Sequence, residues 1–402
     1  MPDEIARWLT EHAHTLDTLT PGAPTDDLKP LGETVRGARM VGLGESTHGT
    51  AEFFRLKHRI IECLVREEGF TTLAMEASES AARALDAYVR HGVGDPARLV
   101  ARLGYWTWRT QEMVDLAEWL HAHNRDLAEE HRVRFVGIDP QRGADSVEAV
   151  TSFLRAHAPG REEDARALEV LIHARPGSRP DPEQELRQRA EDVARHFADH
   201  AEADDELVEH ARILVRAADL VTRSLDQSGG EESAFAVRDR AMADAVARLV
   251  DGDASARVIV WAHNGHIAKG TYGNRITALG SRLRERYGEG YYALALLFGK
   301  GSFLARRGDD LQASPVRHRI GTGTRSIEAR FAGALKGDYY VDLRDAAAPW
   351  LHAPQAQRSF GANVPQFSYR FHTAPLVPAK DYDGIAFVAR STCSHQLPHA
   401  EE

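Results

Sequence analysis

Short apolar stretches rich in β-branched residues recur through the first third of the sequence, at 39–43, 71–75 and 133–138, and each is followed by a segment with helical spacing. This alternation specifies βα units and a mainly parallel sheet, because parallel strands need a long crossover and a helix supplies it. The strand pattern returns at 257–261, 291–298, 339–343 and 384–388. Between the two sets, from about 145 to 250, the chain turns to long Ala/Arg/Glu-rich segments with helical period and no strand signal. Pro176 to Pro182 and Gln227 to Gly230 interrupt that block as loops.

The fold class expected is therefore α/β, with a mainly parallel central sheet flanked by helices and an inserted helical block. Residues 1–144 and 251–402 form a discontinuous core, and 145–250 form an inserted cap or flank. A length of 402 residues suits one large enzyme domain or two to three modules.

Composition removes several classes of function. Hydrophobic residues are 43% and charged residues 27% of the chain, ordinary values for a globular protein. The net charge of -10 lacks the basic surface that a general nucleic-acid binder uses to displace counterions. No apolar run is long enough to cross a bilayer, so neither nucleic acid nor membrane is an expected partner. Met1 to Glu4 lacks the basic and then apolar pattern of a secretory signal, and a cytoplasmic protein is expected. Cys63 and Cys393, the only two cysteines, are expected reduced. The end, Ser394 to Glu402, reads as a frayed tail.

In open parallel sheets ligands bind beyond the carboxyl ends of the strands, where loops and helix N-termini converge. The residues following each strand are therefore informative. Gly44-Glu45-Ser46-Thr47-His48-Gly49 follows the first, Glu76 the second, Asp139 the third, and Ala262-His263-Asn264-Gly265-His266 the fourth. A single carboxylate after a strand is usually a solvated loop residue or a helix-cap partner. Four ionisable ends on one edge supply the groups for general acid-base chemistry or for a metal.

The segment after Glu45 adds a direction. Phe53, Leu56, Ile60 and Leu64 recur at helical spacing over 51–66, and Lys57 falls inside their stripe while Arg55 points away. An inward cation needs an anion, unless the side chain snorkels to the helix edge. Its candidates are Glu45, Glu76 or a substrate oxygen. His48 precedes this helix, where the positive dipole end favours a neutral imidazole able to accept a proton.

Other signals are weak or absent. The sequence lacks a G-x-S-x-G elbow, a P-loop, an H-E-x-x-H and a G-x-G-x-x-G after the first strand. His121 and His123 lie in a helical pattern starting at Gln111 and diverge around its axis, as expected of surface residues. Gly104 to Arg109 holds Tyr105, Trp106 and Trp108; core packing is the default for such rings, with Trp106, Trp108 and Asp139 the candidates to line a substrate pocket.

Taken together, V-G-L-G-E-S-T-H-G-T-A-E-F-F-R-L-K-H, G-F-T-T-L-A-M-E, F-V-G-I-D and V-I-V-W-A-H-N-G-H-I resemble the erythromycin esterase family. The resemblance runs from residue 39 to about 300 and takes in W-T-W-R-T-Q-E, W-L-H-A-H-N and A-L-G-S-R-L. It implies an α/β protein with added helices that opens a macrolide lactone by histidine-activated water, without a serine nucleophile. By position the family's base matches His48, its carboxylates Glu45 and Glu76, and its later histidines His263 and His266. Lys57 departs from the pattern, because arginine is expected there in the antibiotic-resistance members.

The leading expectation is a hydrolase of a small-molecule ester or lactone that uses no metal or cofactor. His48 acts as base, Glu45 or Glu76 positions it, and His263, His266 or Lys57 stabilises the oxyanion. Two alternatives stand beside it. Glu45, His48, Glu76 and His263 could instead hold a divalent metal. The same scaffold could also serve a biosynthetic ring modification or sequester a product.

Overall fold

A computed structural model describes residues 4–158, 160–200, 202–273, 275–308, 310, 313–344, 346–366 and 368–398. Ten strands make one sheet: β1 (His14–Leu16), β2 (Met40–Leu43), β3 (Thr72–Ser78), β4 (Arg134–Asp139), β5 (Val258–Trp261), β6 (Tyr291–Arg307), β7 (Val316–Ile320), β8 (Asp338–Asp342), β9 (Asn363–Val364) and β10 (Gly384–Ser391). Their order is β1-β8-β10-β6-β2-β5-β3-β4, with β7 and β9 paired to the far part of β6. From β10 to β4 every neighbour is parallel, and β1 and β8 add an antiparallel edge. The sequence expectation of a mainly parallel sheet in an α/β fold holds.

The central strands β2, β3 and β5 are buried on both faces, as a helix-covered parallel sheet requires. The pleat sorts their side chains between two cores. Leu73, Met75, Ile259 and Trp261 face one layer, with α1 (Ala51–Glu68), α2 (Glu79–His91) and α3 (Gln111–Asn124). Ala74, Val258 and Val260 face the other, with Leu279, Leu283, Ile327 and Phe331.

The long helical stretch divides in two. α4 (Ala144–His157), α5 (Glu185–Asp199) and α6 (Asp205–Thr222) bury Val150, Leu154, Phe197, Leu214 and Val221 in a core of their own. α7 (Ala234–Gly252) instead lays Met242, Val246 and Val250 on the sheet. It is a layer of the main core, so the separately packed helices stop at Thr222 rather than at 250.

The tail departs from expectation. Ser394 donates its N–H to the Gly49 carbonyl, Gln111 to that of His395, and Leu397 to that of Arg109. Residues 394–397 are therefore paired, through backbone groups that leave no apolar pattern in the sequence. Residues 1–3 and 399–402 lie outside the described residues. No helix among the described residues is long and apolar enough to cross a membrane. Cys63 and Cys393 are free thiols.

Candidate active site

β2, β5, β3 and β4 are consecutive in the sheet, so their carboxyl ends form one rim. The loop 44–50 leaves β2 and enters α1, Trp261 and His263 close β5, Glu76 lies near the end of β3, and Asp139 ends β4. The pairing of β3 with β4 shifts register between Met75 and Ser78, and this irregularity surrounds Glu76. The loop after β2 is held against β6, where Leu304 donates its N–H to the Gly49 carbonyl at 3.0 Å. A Cβ at Gly49 would collide with the Leu304 main chain, which accounts for glycine beside His48.

Glu45 is the hub of the first cluster and is fully buried. Oε1 lies 2.5 Å from His48 Nδ1, while Oε2 accepts from Lys57 Nζ at 2.7 Å and from Trp261 Nε1 at 3.2 Å. Burial alone would protonate Glu45, but Lys57 and His48 outweigh it and hold the carboxyl below its usual range. Lys57 also sits over the Trp261 ring, 4.3 Å from its centroid, and burial pushes its pKa down to about 8. The inward position read from the helical stripe is correct, and of the two candidate carboxylates Glu45 is the partner.

With Nδ1 donating to the Glu45 carboxylate, the Nε2 of a neutral His48 ring is left as an acceptor. Trp108 stands edge-on to its ring at 5.5 Å between centroids, and the His263 ring lies at 5.2 Å. His263 caps the short helix α8 (Asn264–Ile267), its Nδ1 accepting from the Gly265 N–H at 3.2 Å. The proton of the neutral ring is therefore on Nε2, which is buried without a protein partner. Burial and the nearby His48 lower the His263 pKa to about 3, so the ring stays neutral.

Glu76 centres a second cluster. Oε1 accepts from Arg238 Nη2 at 2.6 Å and Oε2 from the His263 backbone N–H at 2.9 Å. Burial opposes its charge, but His266 and Arg238 hold its pKa well below the ordinary value. Arg238 also bonds Asp139 Oδ2 at 2.7 Å and approaches His266 Nε2 at 3.0 Å. His266 Nδ1 lies 2.9 Å from Asp239 Oδ1, and Tyr272 donates to Asp239 Oδ2 at 2.5 Å. Burial would lower the His266 pKa, yet Asp239 and Glu76 raise it to about 10.

The six residues expected at the centre are thus brought together. His48 and His263 lie side by side; Glu45 bonds His48 and Lys57, and Glu76 bonds the His263 backbone with His266 3.3 Å away. Lys57 and His266, two of the three candidates for the oxyanion, are occupied by carboxylates. Asp139 differs from expectation as well: it is fully buried and bonded to Arg238 and Gln141, so it supports Glu76's partner instead of lining a pocket. Trp108 is closed in by His48, Phe54 and Trp261, with Nε1 donating to the Glu76 carbonyl at 3.0 Å. Trp106 does line a cleft, of about 200 Å³, with Tyr105, Arg109 and Arg306. His121 and His123, expected at the surface, are half-buried beside Tyr88 and Trp119, away from the rim. Ser46 is 1% exposed, and its Oγ makes no hydrogen bond.

Arg238 and Asp239 were not foreseen. Asp239 lies in the apolar stripe of α7 with Met242, Ala243, Val246 and Val250, the same signal that marked Lys57. Among the described residues no three His, Cys, Asp or Glu side chains form a group that could hold a metal ion. Glu45 and Glu76 have both oxygens engaged by nitrogen donors.

The profile of the erythromycin esterase family matches residues 65–391. The chain belongs to the erythromycin esterase family. Erythromycin esterase type II of Escherichia coli is 25% identical over 67% of this chain and 71% of its own length. A Bacillus cereus protein of known structure is 26% identical, with a TM-score of 0.83 covering 99% of this chain and 100% of that one. A mutant of the erythromycin esterase EreC in its open conformation shares the fold, with 18% identity and a TM-score of 0.71 over 97% of this chain and 99% of that one. Membership of this family supports a hydrolase. The matched span begins within α1, so the loop carrying Glu45 and His48 precedes it.

Proposed function

We propose that the protein hydrolyses a carboxylic ester or macrolide-like lactone with water activated by His48. The observation that carries this reading is the pairing of His48 and His263: one ring presents an acceptor nitrogen and the other a neutral N–H, with centroids 5.2 Å apart. A water bound to His48 Nε2 loses its proton to that nitrogen as it attacks the ester carbonyl. The carbonyl oxygen gains charge and takes the hydrogen bond of His263 Nε2. Collapse of the tetrahedral species expels the alcohol, which recovers the proton from His48. Glu45 fixes the His48 tautomer and favours the imidazolium formed midway. Glu76 aligns His263 through its backbone amide and takes no proton, since its acid strength is far too high for a base.

The test is incubation with neutral aryl esters and with macrolide lactones, followed by mass spectrometry for the gain of one water. His48→Ala is expected to lower kcat/KM by at least about 10²-fold, and His263→Ala by about 10²- to 10³-fold. Retention of most turnover by His48→Ala would exclude this mechanism. Cytoplasmic location and action on a soluble small molecule belong to the same proposal.

A further inference from the structure

The cleft of about 200 Å³ is lined by Gly104, Tyr105, Trp106, Arg109 and Arg306, with Ala313 to Pro315 closing it. Two of its lining residues are near neighbours in sequence of groups that contact the histidine site. Trp106 is two residues from Trp108, which touches His48, and Arg306 is two residues from Leu304, which bonds Gly49. A further arginine stands behind Tyr105: the Arg142 guanidinium stacks on that ring, 4.8 Å from its centroid.

Arg142 occupies this place at a conformational cost. Its φ is 58°, a left-handed value that is unfavourable for a non-glycine residue. Its N–H donates to the Ala174 carbonyl at 3.1 Å and its own carbonyl accepts from Ser78 Oγ at 2.8 Å, so the backbone is held there from both sides. Gly104 makes room, since a Cβ on it would meet the Arg142 side chain.

Three donors here lack an acceptor. Trp106 is 7% exposed and its Nε1 has no partner; Arg142 Nε and Arg306 Nε are likewise buried without one. Burial and the charges of Arg142 and Arg109 lower the Arg306 pKa, with Asp310 opposing. Like charges drawn together around unsatisfied N–H groups are stabilised by an oxyanion, which accepts from guanidinium groups in pairs.

We infer that this cleft receives a carboxylate or phosphate group carried by the substrate, so that the preferred esters are anionic. The inference rests on the hydrolytic reading above, and names the substrate class for that site. Trp106 Nε1 and the Arg306 guanidinium group hold the oxyanion, Arg142 adds positive charge from behind Tyr105, and the ester carbonyl reaches the gap between His48 and His263.

The experiment compares mono(4-nitrophenyl) glutarate with 4-nitrophenyl valerate, two esters of matched acyl length that differ in one carboxylate. Wild type is expected to favour the glutarate by about tenfold or more in kcat/KM, the effect of one charge-assisted hydrogen bond. Arg306→Gln and Arg142→Asn, the latter chosen because asparagine tolerates a left-handed backbone, should bring the ratio towards one. A ratio near one in wild type, or one that survives Arg306→Gln in a protein folded by circular dichroism, overturns the inference. Should wild type cleave neither ester, the cleft is judged by calorimetric titration with monomethyl glutarate and with inorganic phosphate, and the hydrolytic reading itself fails only if macrolide lactones are left intact as well. Binding weakened about tenfold in Arg306→Gln supports the anion site. No binding of either probe, or equal binding by wild type and variant, rejects it.

Discussion

Lys57 shows how one side chain sets the chemistry of its neighbours. Fully buried, with its pKa brought down to about 8, it loses its proton where an exposed lysine keeps it. As pH rises through that value, Glu45 loses a cation and its grip on His48 loosens. A falling limb of kcat/KM is therefore expected near pH 8. Lys57→Arg, which stays charged, should move that limb upward by a pH unit or more, and an unshifted limb would show that Lys57 is not its source. The position of Lys57 was legible because it interrupts a run of Phe53, Ile60 and Leu64. Its choice of Glu45 over Glu76 was not, since both carboxylates follow strands of the same sheet and only the stagger of the strand ends separates them.

At the scale of elements, α7 is the part of the site that the sequence concealed. Its charged composition reads as part of an external helical block, whereas its Arg238 is the cation shared by Glu76 and Asp139. Arg238→Ala leaves two buried carboxylates facing each other without it, and the expected loss is about 3–5 kcal/mol in unfolding free energy, measured by urea denaturation. A loss below about 1 kcal/mol would mean that solvent reaches the pair. Seven of the ten strands were legible because most of their residues are buried and so read as apolar runs, whereas β1, β7 and β9, short or with exposed positions, left no such run. Helix partners were not, because the apolar stripe of α7 fits a helical neighbour as well as a sheet. Asp139 illustrates the same limit. Its place at a strand end was readable, but its burial follows from an arginine 99 positions along the chain.

For the whole molecule, the second cluster links stability to pH. His266 has an ordinary value of 6.5 and reaches about 10 when folded, so it binds its proton more tightly in the native state. That contribution is complete below about pH 6.5 and is lost as pH rises towards 10. Urea midpoints measured between these limits should fall more steeply for wild type than for His266→Gln, and parallel profiles would contradict the assignment. The paired tail has another consequence. Thr50 bridges Cys393, Ala51 donates to the Thr392 carbonyl and Ser394 to that of Gly49, so the loop bearing His48 is clasped by residues almost 350 positions downstream. During translation the loop bearing His48 goes without these contacts until residues 392–394 have emerged from the ribosome.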